Sequence, residues 1–192
     1  MSNSIKGTKT EQNLLKSFAG ESQVRNRYEF FASVARKEGY EQIANIFMET
    51  ALQEKEHAKR FFKFLEGGMT EITAAYPAGI IGTTMENLKA AAEGEHEEWA
   101  DLYPHFAEVA AEEGFKDVAT AFKMIAKVEA EHEKRYLKLL QNLSEDKVFV
   151  KDGKVFWKCL NCGYIYESVK ALETCPACLH AKSFMQIKEE NY

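Results

Sequence analysis

The sequence predicts a mainly α protein: a four-helix bundle over residues 1–145, then a small β domain over residues 146–192 built around a metal. Three observations carry that expectation. The first 143 residues contain two copies of one helical unit. Apolar residues recur at helical spacing, and the chain has only three prolines, at 77, 104 and 176. All four cysteines fall in the last 34 residues, as two C-x-x-C pairs.

The duplication is direct. Residues 31–65 align without a gap on residues 106–140, at an offset of 75, with 16 of 35 positions identical. Tyr28 falls on Tyr103 just upstream. Each copy reads as two helices. In the first, Leu14, Leu15, Phe18, Val24, Tyr28, Phe31 and Ala35 mark a helix over residues 10–38, with Gly39 as its stop. A second helix over 40–66 ends at Gly67-Gly68. Residues 69–83, with Pro77, Gly79 and Gly82, form a long crossover. Thr83 with Glu86 offers a capping box for the third helix. Gly114, the counterpart of Gly39, separates the third helix from the fourth, which fades near Ser144. Short loop, long crossover, short loop is the connectivity of ferritin-like bundles. Beyond Glu145, residues 148–150 and 155–157 read as a β-hairpin around Asp152-Gly153.

Composition narrows the function. The net charge is -5 with no basic run, which argues against nucleic acid and anionic membranes as partners. No apolar run approaches membrane-spanning length and the N-terminus lacks a signal pattern, so a soluble, cytoplasmic protein is expected. In a reducing compartment, paired C-x-x-C motifs point to metal ligation rather than disulfides.

The repeat carries Glu54 with His57, and Glu129 with His132. Three residues apart on a helix, each pair projects from one face. Glu21 on the first helix, and Glu95 with Glu98 on the third, are the acidic residues in register with them. Uncompensated carboxylates on a core face are costly, and metal ions are the natural compensation. A single E-x-x-H is usually a solvated face, but two copies at equivalent repeat positions reverse that reading. Glu from two helices plus a Glu-x-x-His pair from each of the other two is the ligand pattern of ferritin-like two-metal proteins. Glu56 and Glu131 point to the opposite side and are expected at the surface. His96 and His105, which have no repeat partner, are expected beside the site or in solvent.

The repeat slips in one place. At the offset of 75 Glu21 falls on His96, because Glu95 lies eight residues before Tyr103 whereas Glu21 lies seven before Tyr28. One extra residue rotates a regular helix by about 100°. A π-bulge between Glu95 and Tyr103 would absorb it and give the third helix an unmatched carboxylate, Glu98.

Cys159, Cys162, Cys175 and Cys178 form a four-thiolate signature for zinc or a single iron. Gly163 suits the positive φ that closes such a knuckle. Trp157, Phe156, Tyr164, Tyr166 and Phe184 are expected to supply an aromatic core. That core and the redox-capable neighbouring site favour iron over a structural zinc ribbon.

These residues resemble the rubrerythrin family over essentially the whole chain. The two E-x-x-H helical halves, Cys159-Leu160-Asn161-Cys162-Gly163-Tyr164 and Cys175-Pro176-Ala177-Cys178 carry the resemblance, with Gly94-Glu95-His96-Glu97-Glu98-Trp99 and Asp101-Leu102-Tyr103-Pro104. The resemblance implies a ferritin-like bundle with a rubredoxin-like domain, holding an oxo- and carboxylate-bridged iron pair and one iron on four thiolates. It implies reduction of hydrogen peroxide to water in oxidative-stress defence. Electrons would come from a rubredoxin or an NAD(P)H-dependent reductase, and the protein would be a homodimer. Glu54 and Glu129 would bridge the irons, Glu21 and Glu95 would each bind one, and His132 would cap the second. Glu98 and His57 would exchange at the other iron with redox state. Tyr28 and Tyr103 would hydrogen-bond the ligand carboxylates. Residues 166–173 lack the glycine and proline common there in the family, and Ala181 replaces a frequent proline. Oxidation and storage of Fe(II), as in ferritins, is the competing function; a zinc-holding scaffold is a third.

Overall fold

The computed structural model describes residues 4–191. Five α-helices come first: α1 (Lys9–Lys37), α2 (Glu41–Phe62), α3 (Thr84–Glu97), α4 (Tyr103–Glu112) and α5 (Lys116–Ser144). A π-helical turn, Glu98–Leu102, joins α3 to α4 into one rod, so the bundle has four rods. None is long and apolar enough to cross a membrane.

Local chemistry sets the helix ends. Thr8 accepts from the Glu11 amide at the start of α1, and Thr83 with Glu86 forms the complete capping box expected for α3. Gly39 and Gly114 close the two hairpins at φ 87° and 88°. In both, the next amide reaches back five residues, Tyr40 to Ala35 (2.8 Å) and Phe115 to Ala110 (2.7 Å). This closure needs a left-handed residue, and glycine occupies that region without penalty.

Packing reveals how the duplication is used. One apolar half-core gathers Tyr28, Phe31, Phe47, Leu88 and Tyr136; the other gathers Leu14, Phe61, Tyr103, Phe106 and Phe122. At the offset of 75 these sets exchange: Tyr28 matches Tyr103, Phe47 matches Phe122, and Phe61 matches Tyr136. Along each rod a buried carboxylate lies between residues of the two half-cores: Leu14, Glu21, Tyr28 on α1, and Ala51, Glu54, Phe61 on α2. The polar layer is therefore clamped between two aromatic clusters. Each fully buried aromatic contributes about 1.5–3 kcal/mol of burial, which holds the charged layer in place.

The C-terminal module is a three-stranded antiparallel sheet ordered β2-β1-β3, with β1 Val150–Cys159, β2 Ile165–Lys170 and β3 Met185–Ile187. Two expectations are corrected here. The hairpin around Asp152-Gly153 does not form; both residues lie inside β1, in an irregularity where pairing shifts from Val150–Lys170 to Val155–Ser168. The turn chemistry is spent on a bulge because β1 finds its partners in residues 165–170 and 185–187 instead. The aromatic core is also smaller than expected. Trp157 is fully buried and donates to the Ser168 carbonyl (3.0 Å), and Tyr166 and Phe184 pack against it, but Phe156 and Tyr164 are exposed. Strand alternation sends Phe156 outward once Trp157 points in. The module meets the bundle where Phe149 stacks on Tyr40, 6.0 Å between ring centroids.

Leu179 follows Cys178 as Gly163 follows Cys162, yet it holds φ 61° with a largely exposed side chain. A left-handed non-glycine residue costs about 1–2 kcal/mol. Leu179→Gly is expected to stabilise the metal-loaded module by about 0.5–1 kcal/mol, after allowing for the larger unfolded-state entropy of glycine. Thermal unfolding followed by loss of the tetrathiolate absorption band measures it; an unchanged or lowered midpoint refutes it.

Candidate metal centres

Inside the bundle, Glu21, Glu54, His57 and Glu129 bring one ligand atom each to within 4.8 Å of one another. Glu54, Glu95, Glu129 and His132 do the same alongside, so Glu54 and Glu129 belong to both groups. All four glutamates are essentially inaccessible to solvent. The histidines both aim Nδ1 inward. His57 Nδ1 lies 2.9 Å from Glu54 and 2.9 Å from Glu129; His132 Nδ1 lies 3.1 Å from Glu54 and 2.8 Å from Glu129.

These contacts test whether a metal pair fits. Although the atoms are close, Glu54 Oε1, both oxygens of Glu129 and His132 Nδ1 have no aligned hydrogen bond, and Glu21 Oε2 and Glu95 Oε2 are likewise unpaired. Buried polar groups are rarely left so, because each orphan costs about 1–3 kcal/mol. Within the cluster His57 Nδ1 pairs with Glu54 Oε2 at 2.9 Å, and the converging lone pairs left over suit cations between them. Mixed carboxylate–imidazole donors suit iron.

The neighbours hold this set in orientation. Tyr28 on α1 donates to Glu95 on α3, and Tyr103 on α4 donates to Glu21 on α1 at 2.5 Å. The two phenols cross over between the repeats, each orienting the other half's carboxylate. Sequence reasoning missed Gln53, whose Oε1 pairs with His132 Nε2 at 3.0 Å. Accepting from Nε2–H leaves the Nδ1 lone pair for the metal. The available signal was a break in the repeat, since Gln53 falls on Val128.

Glu98 stands apart. It opens the π turn, where the Tyr103 amide donates to the Glu98 carbonyl five residues back. The expected bulge is therefore present. Glu98 belongs to neither four-residue group, and its side chain lines a pocket between α1, the crossover and the π turn. Trp99 donates to Glu133 Oε2 at 2.6 Å and His96 contacts Glu133 Oε1 at 3.0 Å, fastening the π segment to α5. His96 and His105 are exposed, as are Glu56 and Glu131.

Without metal the charges settle on protons. Burial pushes Glu21 and Glu98 well above the carboxylate range and Glu95 up to about 8. Burial acts the other way on His57, but pairing with Glu129 and Glu54 prevails and raises it to about 10; His132 likewise rises to about 12. Burial would also raise Glu54, but His132 and His57 hold it at about 2. Groups raised in the fold contribute stability at low pH and lose it as pH climbs through the folded value. The window opens at the ordinary 4.5 of Glu95 and closes near the value of about 12 for His132. Glu54 adds a loss only below 4.5, towards 2. Iron-free protein should therefore melt progressively lower across that window, while iron-loaded protein is flatter. Calorimetry of both forms checks this, and a midpoint in the iron-free form that rises with pH would contradict it.

In the C-terminal module the four cysteine Sγ atoms lie within 4.8 Å of one another. Cys159–Cys178 is 3.7 Å and Cys162–Cys175 is 3.6 Å. A disulfide needs about 2.05 Å. A tetrahedron with metal–sulfur bonds of about 2.3 Å has edges near 3.8 Å, so the spacing is that of a tetrathiolate. Paired knuckles build it: the Gly163 amide donates to the Cys159 carbonyl and the Leu179 amide to the Cys175 carbonyl, both at 2.9 Å. Gly163 takes φ 79° as expected.

Fold and sites together define a class: a two-metal carboxylate bundle of ferritin-like architecture fused to a one-metal tetrathiolate module. Comparison with known proteins then makes the assignment. The rubrerythrin family model matches residues 12–140, and the model of the rubrerythrin rubredoxin-like domain matches residues 157–186. The chain is 64% identical over 192 residues to rubrerythrin of Porphyromonas gingivalis, covering 100% of this chain and 96% of the relative. It is 52% identical to rubrerythrin of Nitratidesulfovibrio vulgaris, covering 98% and 99%. A fully reduced, all-ferrous nigerythrin aligns with TM-score 0.63 and 31% identity, over 97% of this chain and 92% of that one. Symerythrin from Cyanophora paradoxa, reduced with dithionite, gives TM-score 0.63 at 27% identity, over 75% and 90%. The chain belongs to the rubrerythrin family, a family of non-haem iron oxidoreductases. Its cofactors are two irons on the glutamate–histidine cluster and one on the four cysteines.

Proposed function

We propose that the protein is a peroxidase that reduces hydrogen peroxide to water, drawing electrons through its tetrathiolate iron. The observation that carries this reading is Glu98: a half-buried carboxylate at the start of the π turn, left out of the ligand groups and lining a pocket. Glu54 and Glu129 would bridge the irons, Glu21 and Glu95 would each hold one, and His132 would cap the second. His57 and Glu98 would alternate at the remaining position, a reading supported by His57 belonging to one of the four-residue groups and Glu98 to neither.

When bound, the iron pair supplies two electrons and a Lewis-acidic seat for the peroxide oxygens. The protein does the rest. Tyr28 and Tyr103 keep Glu95 and Glu21 aimed, and Gln53 fixes the His132 ring. Burial, with the charges of Glu95 and Glu129, raises Glu98 well above the ordinary carboxylate value and so favours its protonated form. Glu98 can hand that proton to the leaving oxygen at the pocket side. The two aromatic half-cores exclude water from the ligand layer. The four cysteines hold a one-electron store within the same chain. The external donor in this reading is a rubredoxin or an NAD(P)H-dependent reductase, and the setting is a cytoplasmic homodimer defending against oxidative stress.

Anaerobic rapid mixing of fully reduced, iron-loaded protein with hydrogen peroxide tests the function. Both centres should oxidise, with the tetrathiolate absorption rising after the bundle site turns over. If both stay reduced the reading is wrong. If only dioxygen with excess Fe(II) drives turnover, Fe(II) oxidation takes its place.

A further inference from the structure

The pocket beside Glu98 is larger than hydrogen peroxide requires. It encloses about 310 Å³, roughly ten times the ~30 Å³ that one water occupies, and it reaches the lower bound of small-molecule sites. Glu98 and Tyr103 line it on the side of the ligand layer. Val24, Ala74, Ala75, Leu102 and Phe106 supply an apolar wall. The crossover that completes this wall is tied down: Tyr76 donates to the Lys16 carbonyl at 2.7 Å, and its ring lies over Gly20. A fully polar, two-heavy-atom substrate gains nothing from an apolar enclosure of this size. A substrate with an apolar group attached to the O–O unit does.

We propose that this pocket admits organic hydroperoxides, so that the protein reduces ROOH with an apolar R as well as hydrogen peroxide. This rests on the peroxidase reading and extends it to a substrate class. The step balances as ROOH plus two electrons and two protons giving ROH and water. The O–O bond breaks and each oxygen takes up one proton, so that the oxygen attached to R ends as ROH and the other, which already carried one hydrogen, as water; the two electrons come one from each ferrous ion. In this assignment the R group lies against Val24, Leu102 and Phe106, and the O–O end faces Glu98.

Two measurements test it. In zinc-loaded protein, which cannot turn over, 2-phenyl-2-propanol (the alcohol from cumene hydroperoxide) should bind saturably. It should shift the methyl resonances of Val24 and Leu102 in NMR spectra, and Ala75→Trp should abolish those shifts. In reduced iron-loaded protein, cumene hydroperoxide should oxidise both centres. Ala75→Trp should slow that reaction about tenfold or more while leaving hydrogen peroxide within about twofold, as expected when only the enclosure for R is filled. Absence of alcohol binding to the unmodified chain, with hydrogen peroxide still reactive, overturns the pocket assignment and leaves the peroxidase reading standing. Failure of hydrogen peroxide itself overturns both. Equal slowing of the two peroxides by Ala75→Trp also refutes a separate site for R.

Discussion

Glu129→Ala is expected to take the iron content from about three per chain to about one, leaving the tetrathiolate colour intact. Glu129 belongs to both ligand groups, and its two oxygens approach different histidines, His57 at 2.9 Å and His132 at 2.8 Å. Removing it would take a candidate ligand from both groups at once. It also strands two imidazoles in a layer clamped between aromatic half-cores. Glu56→Ala, on the exposed side of α2, should change nothing by comparison. Metal analysis together with visible spectra decides the matter. Retention of all the iron by Glu129→Ala would show that the carboxylate only balances charge.

The second large effect concerns the π turn. Deleting Ala100 should convert Glu98–Leu102 to regular α-helix, because the extra residue is what forces the Tyr103 amide back to the Glu98 carbonyl. Glu95 would then lie seven residues before its tyrosine, as Glu21 lies before Tyr28, and the two halves of the site would become symmetric. The variant should keep two bundle irons, since Glu21, Glu54, Glu129 and Glu95 remain. Its oxidation by hydrogen peroxide should fall by about 10²-fold or more, because Glu98 opens the π turn and removing that turn re-aims it relative to the pocket it lines. Glu98→Ala should show a similar loss without the backbone change. Rapid mixing with peroxide measures both, and a deletion variant with full activity would remove Glu98 from the chemistry.

Much of this site was legible before any coordinates, for identifiable reasons. Metal ligands on helices must share a face, so Glu54 with His57 and Glu129 with His132 stand out by spacing alone. Duplication converts a common pattern into a specific one, because solvated faces have no cause to repeat at an offset of 75. The π turn was readable as a defect in that repeat. Gln53 was not identified, since a single amide next to a ligand has no periodic signature. The Asp152-Gly153 turn was misread because short-range turn chemistry favours a hairpin, while pairing with residues 165–170 depends on contacts distant in sequence.

The sequence by itself determined the four-rod bundle, the candidate ligand residues that the structure gathers into two clusters, the helix stops at Gly39 and Gly114, and the existence of the extra carboxylate Glu98. Each is a local or periodic property, written in spacing, capping residues and the offset between repeats. Only the tertiary structure decided that Tyr28 serves Glu95 while Tyr103 serves Glu21, and that the crossover walls a pocket over Glu98. It alone also placed Gln53 on His132. Periodicity says which face of a helix is buried; which groups meet across that face depends on how the rods pack, and packing is a property of the whole core.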